Sequence, residues 1–385
     1  MKEIYFDNSS TTIVSPAAAQ MVMKVMTEDY GNPSSMHKKG VDAEKYIREA
    51  RRKIAGILRV SENEIYFTSG GTESNNWAII GTALSHSRVG KKILTTQMEH
   101  PAVSEVLHFL EGRGYEIVCI PVDRTGGIDM EALDKELTKD TILVSMMYVN
   151  NEIGAVTPTA RIGRLIRAKA PNALYHANAI QAFGKYRIFP RTEGIDLLSV
   201  SGHKIHGPKG TGFLYVSNQA HILPIIYGGG QQSGMRSGTE NVPGIAGLGV
   251  AAEEAYVDFD KKIDRLYDLK EYMESSLDKL DGVILHGKRG REGAPHIVNA
   301  AFMGVGAEVL LHTLEDQGIY VSAGSACSTH KRAASPTMTA IHAPKEEAAA
   351  SVRFSFSELN TKEEIDRTAG VLKEALPSLR RYSRK

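Results

Sequence analysis

Seven short apolar runs, separated by helical patterns, occupy residues 64–216 and constrain the fold more than any other feature of the sequence. They cover 64–68, 92–96, 116–122, 142–149, 174–177, 196–200 and 212–216. Strands that are apolar throughout are buried on both faces, and helical connections between them favour parallel pairing. The pattern predicts an α/β fold in which a mainly parallel, seven-stranded sheet is covered by helices.

The pattern changes near residue 250. A long helical stretch, from 242 to about 280, leads into shorter apolar runs at 283–285, 296–302, 319–322 and 352–356. Helices lie between and after these runs, which indicates a second, α+β unit. We therefore expect a large domain over 15–250 and a small domain formed by 1–14 and 251–385, hinged by the long helix.

Charge and cysteine content exclude several classes of protein. The 46 basic and 45 acidic side chains give a formal charge of +1, without a basic block that would bind nucleic acid. Two cysteines rule out a disulfide framework and a four-cysteine zinc site, and we expect no metal. No apolar run is long enough to span a membrane, and the first residues lack a secretory signal. We expect a cytoplasmic, globular protein.

The stretch 69–73, Ser-Gly-Gly-Thr-Glu, follows a predicted strand and opens a helical pattern. Backbone N–H groups and hydroxyls at the start of a helix can hold a phosphate. An ordinary strand-to-helix turn with a threonine cap explains the same letters, and the motif alone favours that simpler explanation.

Lys204 lies in a second glycine-rich stretch, 201–210, directly after the apolar run 196–200. A lysine at the end of a buried strand can be desolvated and act as an amine nucleophile, for example in a Schiff base with a carbonyl cofactor. A lysine that only caps a tight turn is an equally good explanation of this stretch on its own.

His100 and the two cysteines are further candidates. His100 precedes Pro101, so its simplest role is to start a helix, although an aromatic proton carrier beside a cofactor is the functional alternative. Cys119 lies inside an apolar run, where we expect an inert core thiol. Cys327 lies in a small, polar stretch followed by Lys331 and Arg332, where nearby cations favour a reactive thiolate.

Together these stretches resemble the cysteine desulfurases of the iron–sulfur-cluster type, which are pyridoxal-phosphate enzymes of the class V aminotransferase family. The resemblance covers nearly the whole chain. It is carried by 5–12 (YFDNSSTT), 31–37 (GNPSSMH), 68–75 (TSGGTESN), 99–100 (EH), 149–152 (VNNE), Gln181 with 184–185 (GK), 201–210 (SGHKIHGPKG), 234–239 (GMRSGT), 325–327 (SAC) and 351–355 (SVRFS). It implies the fold type I architecture of pyridoxal-phosphate-dependent aminotransferases, with the cofactor bound by the large domain.

The resemblance also implies roles for individual residues. Lys204 holds pyridoxal 5'-phosphate covalently and transfers protons, His100 stacks on the ring, and Cys327 takes the sulfur of L-cysteine as a persulfide while alanine leaves. The implied cofactor-binding set is Gly71, Thr72, His100, Asn178, Gln181, Ser201, His203, Lys204 and, from the second subunit of a homodimer, Thr239. Asn151 and Arg353 are implied to bind the substrate carboxylate, since the guanidinium fork suits a carboxylate.

The implied partners are the homodimer and a sulfur-acceptor protein. Cys327 lies in a loop, about 323–345, that we assign to the small domain. A loop of this length resembles the branch of the family that donates sulfur to scaffold proteins for iron–sulfur clusters or to tRNA-thiolation proteins. Residues 329–332 (THKR) are not the usual serine-rich continuation, so both types of acceptor stay open.

One departure from the family pattern concerns the cofactor ring. In 176–181 (HANAIQ), Asn178 stands where the family has the aspartate that pairs with the protonated pyridine nitrogen. Replacing a charge-assisted hydrogen bond by a neutral one loses about 1–2 kcal/mol, or about tenfold in rate. We therefore expect reduced turnover. Ser9 and Ser10 replace two alanines of the family, a change expected to leave the chemistry unaffected.

Three alternatives to a desulfurase remain open. A selenocysteine lyase or an aminotransferase would share the lysine and the phosphate site, although an aminotransferase has no need of Cys327. A catalytically weak, cofactor-bound paralogue that mainly docks to a sulfur acceptor is favoured by Asn178. A nucleic-acid-binding module has no support in the charge distribution.

Overall fold

The computed structural model describes residues 3–323 and 335–382. For residue 382 it describes the backbone only. Its strands are β1 (Ile4–Tyr5), β2 (Ile65–Thr68), β3 (Lys92–Thr96), β4 (Glu116–Ile120), β5 (Thr141–Met147), β6 (Leu174–Asn178), β7 (Leu197–Ser201), β8 (Gly212–Val216), β9 (Val283–His286), β10 (Ile297–Phe302), β11 (Ile319–Tyr320), β12 (Ser322–Ala323) and β13 (Ser351–Ser355).

Helices separate most of these strands. They are α1 (Pro16–Thr27), α2 (Lys38–Leu58), α3 (Gly71–Ser85), α4 (Pro101–Glu111), α5 (Met130–Glu136), α6 (Thr159–Lys169), α7 (Pro190–Glu193), α8 (Val242–Tyr256), α9 (Phe259–Leu277), α10 (Ala307–Glu315), α11 (Pro336–Ala340), α12 (Lys345–Ala349) and α13 (Lys362–Tyr382). Short 3₁₀ turns cover Glu62–Glu64, Gly202–Lys204, Gln232–Gly234 and Gly290–Glu292. None of the helices within the described ranges is both long and apolar enough to cross a membrane.

The large sheet contains seven strands in the order β2-β8-β7-β6-β5-β3-β4. β7, β6, β5, β3 and β4 pair in parallel, whereas β8 is antiparallel to both of its neighbours. Each of the seven apolar runs overlaps one of these strands, and the runs 92–96 and 212–216 match β3 and β8 residue for residue. The predicted α/β fold with a mainly parallel seven-stranded sheet is confirmed.

A smaller antiparallel sheet, in the order β12-β13-β10-β9, follows in the chain. β1 pairs in parallel with β11, and a bridge between Asp7 and Ser355 joins the start of the chain to β13. Phe6 packs against the rings of Phe354 and Phe356 in the hydrophobic cluster of this region. The first residues of the chain therefore contact the small sheet. The residues after residue 8 lead from there towards the large sheet.

The single long helix expected over 242–280 is wrong. The structure has two helices, α8 and α9, because Asp258 adopts a left-handed conformation (φ 51°) at the junction and precedes the first residue of α9. α8 crosses residue 250, and the domain boundaries at 15 and 250 stay predictions.

The expected burial of Cys119 is also wrong. β4 is the edge strand of the large sheet, and the Cys119 side chain is exposed on it. An apolar run predicts a strand, but it does not distinguish an edge strand from a central one.

Candidate functional site

Four of the predicted site residues lie at the carboxyl ends of parallel strands of the large sheet. β3 is followed by His100, β5 by Asn151 and β7 by Lys204, while Asn178 is the last residue of β6. Open α/β sheets bind ligands beyond the carboxyl ends of their strands, where loops from neighbouring strands meet. The strand order therefore brings together residues that are far apart in the sequence.

Lys204 and Gln181 converge on the backbone of the N-terminal segment. The Lys204 Nζ donates to the carbonyl of Ser9 at 2.5 Å and to that of Ser10 at 2.7 Å. The Gln181 Nε2 donates to the same Ser9 carbonyl at 2.9 Å. Behind Gln181 lies the buried His296, whose Nε2 is 3.3 Å from the Gln181 Oε1. Two backbone carbonyls of the N-terminal segment thus hold the lysine amine.

His100 caps α4 through its ring. Its Nδ1 accepts a hydrogen bond from the backbone N–H of Ala102 at 3.0 Å, so the proton of the neutral ring lies on Nε2. Desolvation and the positive charge of Lys204 lower the pKa of His100. The ring lines a cavity of about 520 Å³ that Thr72 also lines. His100 therefore presents a neutral imidazole with one N–H donor.

Thr72 also lines a second cavity, of about 390 Å³. The second cavity is lined by Ser10, Thr11, Ser69, Gly70, Gly71, Thr72, Glu73, Ser201, His203, Lys209 and Gly210. It lies at the N-terminus of α3, where backbone N–H groups favour an anion. A Cβ atom at Gly71 would lie 2.1 Å from the Ile180 Cδ1, so a larger residue there would require the Ile180 side chain to move.

His203 borders the same cavity as a neutral ring. Its Nδ1 lies 3.1 Å from the Thr11 hydroxyl. Burial, with a contribution from the cations Lys204 and Lys209, lowers the pKa of His203 to about 4. At neutral pH the ring therefore acts through hydrogen bonds, and the lysines supply the positive charge.

Asn178 carries a buried amide that is only half satisfied. The side chain is 2% exposed, and its Oδ1 accepts from the Ile180 N–H at 3.3 Å. Within the described residues its Nδ2 has no hydrogen-bond partner. An amine, an unsatisfied amide and an anion cavity lined by hydroxyls fit pyridoxal 5'-phosphate, which carries an aldehyde, a ring nitrogen and a phosphate.

Arg353 and Asn151 are in direct contact. The Arg353 Nη1 donates to the Asn151 carbonyl at 2.8 Å. Its Nη2 donates to the Asp7 carboxylate at 2.8 Å and to the Ser10 hydroxyl at 2.7 Å. The buried Nε has no partner among the described residues. The guanidinium is thus fixed in position, but protein groups engage both of its terminal nitrogens.

One predicted site residue, Thr239, lies apart from this cluster. Within the described part of the chain, Thr239 lines a separate cavity of about 290 Å³ beside Met26 and Tyr30. Its role from a second subunit stays a prediction. Cys327 lies outside the described residues.

Sequence reasoning missed the part that the N-terminal segment plays. Asp7, Ser9 and Ser10 belong to the stretch 5–12 that carried the resemblance, but no role was assigned to them. The Ser10 hydroxyl, which was expected to leave the chemistry unaffected, donates to Asp7 at 2.8 Å. His296 was missed as well, and the only sequence signal for it is a histidine at the start of an apolar run.

Comparisons with known proteins identify the family of the chain. The sequence profile of the aminotransferase class-V family matches residues 4–368. A protein of Dictyoglomus turgidum named cysteine desulfurase IscS is 42% identical over 383 residues, covering 99% of this chain and 96% of that protein. A similarly named protein of Methanosarcina thermophila is 41% identical over 382 residues, covering 99% and 94%.

Solved structures show the same fold. A NifS-like protein superposes with a TM-score of 0.93 at 34% identity, covering 98% of this chain and all of that one. The predicted family and fold are therefore confirmed. With a profile that matches nearly the whole sequence and relatives of this identity, the chain belongs to the aminotransferase class-V family.

Proposed function

We propose that this protein is a pyridoxal-phosphate-dependent cysteine desulfurase, which converts L-cysteine to L-alanine and leaves the sulfur as a persulfide on Cys327. The observation that carries the proposal is the position of Ser10 between two cations. Its carbonyl accepts from the Lys204 amine and its hydroxyl accepts from Arg353. A guanidinium held this close to the amine that would hold the cofactor suits the carboxylate of an α-amino acid substrate.

The relatives specify which amino acid. The IscS protein of Dictyoglomus turgidum is named a cysteine desulfurase. A solved structure described as SspA in complex with cysteine matches with a TM-score of 0.79 at 30% identity, covering 94% of this chain and all of that one. L-cysteine is therefore the substrate that we propose.

Each residue of the site then has a task. Pyridoxal phosphate, when bound, supplies the electron sink. The Lys204 amine would hold its aldehyde and would move the proton at the substrate Cα, while the neutral His100 ring keeps its Nε2 proton beside the cavity. Thr72, Ser201 and His203 would hold the phosphate, and Gln181 would bond the ring oxygen in place of its present contact with the Ser9 carbonyl.

Sulfur transfer is assigned to Cys327. Its thiolate attacks the sulfur of the substrate, so that an S–S bond forms while the Cβ–S bond breaks. The electron pair of the broken bond stays with Cβ, which is protonated and leaves as part of alanine. The step needs no external oxidant or reductant, and the persulfide is available to an acceptor protein.

We further propose a homodimer and a sulfur acceptor of the scaffold or tRNA-thiolation type. Thr239 is exposed and lines a cavity. Met26 (61% exposed) and Tyr30 (67% exposed) line the same cavity. Large exposed apolar side chains beside a predicted contact residue support contact with a second copy of the chain. The cytoplasmic location stays a prediction.

The proposal is tested by alanine release from L-cysteine in the presence of pyridoxal phosphate and a thiol reductant. We expect release from the natural chain and loss of release in Lys204→Ala and Cys327→Ser. Cys119→Ser is the matched control, because Cys119 is the other cysteine and lies on β4, and it should release alanine like the natural chain. Equal release from Cys327→Ser and the natural chain would contradict the role of Cys327.

A second candidate function is a weak paralogue that mainly docks to a sulfur acceptor. The observation that favours it is Asn178, in place of the aspartate of the family pattern. Alanine release that becomes substantial only in Asn178→Asp would support this candidate. Preferred release of selenide from selenocysteine would instead favour the selenocysteine lyase.

A further inference from the structure

The amide of Asn178 is fixed in place by the strands around it. Asn178 ends β6 and lies in register with Met147 of β5 and Ser199 of β7. Its backbone carbonyl accepts from the Tyr148 N–H at 2.9 Å. With 2% of its surface exposed, the side chain cannot turn into solvent to satisfy its polar atoms.

The two ends of this amide are not equivalent. The Oδ1 is engaged by the N–H of Ile180, two residues along the chain. This local hydrogen bond orients the amide and leaves Nδ2 as the end without a partner within the described residues. A buried donor without an acceptor is costly, so a ligand atom with a free lone pair is the expected complement.

Asparagine and aspartate demand opposite states of a ring nitrogen. A carboxylate only accepts, so it pairs with a protonated nitrogen, whereas the amide N–H of asparagine donates and pairs with an unprotonated one. On the basis of the proposed function, we propose that the Nδ2 of Asn178 donates a hydrogen bond to the unprotonated pyridine nitrogen of pyridoxal phosphate. The Asn178 position thereby sets the cofactor ring in its neutral form.

The charges of the site agree with a neutral ring. Lys204 and Arg353 are the cations of the cluster, and the negative charge of Asp7 is committed to Arg353 at 2.8 Å. His100 is a neutral ring, since desolvation and Lys204 lower its pKa. The buried carboxyl of Glu99, next to His100, accepts from the Met147 N–H and the Thr96 hydroxyl through Oε1, and its Oε2 has no partner among the described residues. Asp7 is thus paired with Arg353, and burial raises the pKa of Glu99 to about 7, which disfavours a carboxylate at that residue.

A neutral ring has a consequence for rate. An unprotonated pyridine withdraws electrons less strongly than a protonated one, so Asn178→Asp should raise the rate of alanine release by about tenfold. Slow turnover would then result from the protonation state of the ring, because the residues that bind the cofactor and the substrate would be intact.

The direct test is the ¹⁵N chemical shift of the ring nitrogen in the full-length holoprotein, reconstituted with pyridoxal phosphate labelled at that atom. We expect the unprotonated value in the natural chain and the protonated value in Asn178→Asp. The side chain in Asn178→Ala can neither donate nor accept a hydrogen bond. We expect the ring nitrogen of this variant to be unprotonated, with a chemical shift that differs from that of the natural chain because the Asn178 hydrogen bond is absent. Circular dichroism and cofactor absorbance verify that each variant is folded and loaded.

A protonated ring nitrogen in the natural chain would overturn the inference, because Asn178 would then have to accept through Oδ1. Identical shifts in the natural chain and in Asn178→Ala would overturn it as well. The proposed function fails separately: a loaded chain with an unprotonated ring and no alanine release would contradict the desulfurase and leave this inference standing. Failure to bind pyridoxal phosphate would overturn both.

Discussion

Ser10 and Arg353 are joined by a hydrogen bond of 2.7 Å, in which the Arg353 Nη2 donates to a hydroxyl that the family pattern does not provide. The same nitrogen also donates to Asp7. A guanidinium has five N–H donors, and a carboxylate ligand uses two neighbouring ones. Ser10 therefore competes with the proposed substrate carboxylate for Arg353.

Removing the Ser10 hydroxyl should strengthen substrate binding. Without it, one Nη2 proton is available to the carboxylate, and we expect Ser10→Ala to lower the KM for L-cysteine about fivefold, corresponding to about 1 kcal/mol. Steady-state kinetics of alanine release measure the change.

Ser9→Ala is the matched control for this prediction. The Ser9 hydroxyl is buried without a partner among the described residues, so the KM should stay unchanged. A higher KM in Ser10→Ala would mean that Ser10 positions Arg353 for the substrate and does not compete with it.

The anion cavity depends on the backbone of Gly70. Gly70 caps α3 with φ 146° and ψ −173°, a conformation that residues with a Cβ atom avoid. Gly70→Ala should lower the free energy of unfolding by about 1–3 kcal/mol and weaken the binding of pyridoxal phosphate. Urea unfolding and cofactor titration by absorbance measure the two effects.

Gly56→Ala provides a control of opposite sign. Gly56 lies in α2, and a Cβ atom there would meet nothing within 4 Å. We expect this variant to gain about 0.5–1 kcal/mol of stability and to bind cofactor normally. Unchanged stability in Gly70→Ala would show that the turn can relax.

Glu99 should give the folded protein a distinct pH dependence. Burial raises the pKa of its carboxyl from 4.5 to about 7. The folded state thus keeps a proton that the unfolded chain loses, so stability falls as pH rises from 4.5 to about 7. The contribution of this one group is about 3 kcal/mol.

Glu99→Gln should remove that part of the pH dependence. Unfolding free energies measured on both sides of the window give the difference between the natural chain and the variant. Glu116→Gln, which changes an exposed carboxylate on β4, should leave the curve unaltered. Parallel curves for the natural chain and Glu99→Gln would contradict the raised pKa.

The sequence predicts the large sheet well because its signal is local. The apolar run 212–216, for example, is bounded by turn residues, and it coincides with β8. The break between α8 and α9 was missed because the backbone of Asp258 leaves the helical region there without a proline or glycine to mark it.

Contacts across long sequence separations are the part that could not be predicted. The hydrogen bonds from Lys204 to Ser9 and Ser10 join residues 195 and 194 positions apart. They depend on how β1 pairs with β11 and on the segment that follows, and no local pattern specifies that path. The resemblance located Lys204, Arg353 and Asn178, but the groups that hold them became visible only in three dimensions.

In the proposed function, the sulfur of L-cysteine is transferred to Cys327. A single-turnover reaction of the holoprotein, without reductant, tests it when alanine is quantified and the peptides that contain Cys327 and Cys119 are weighed by mass spectrometry. We predict that each alanine formed is matched by one sulfur atom added to the peptide containing Cys327, with none added to the peptide containing Cys119. Alanine without sulfur on Cys327, or no alanine from a chain that has bound pyridoxal phosphate, would contradict the account.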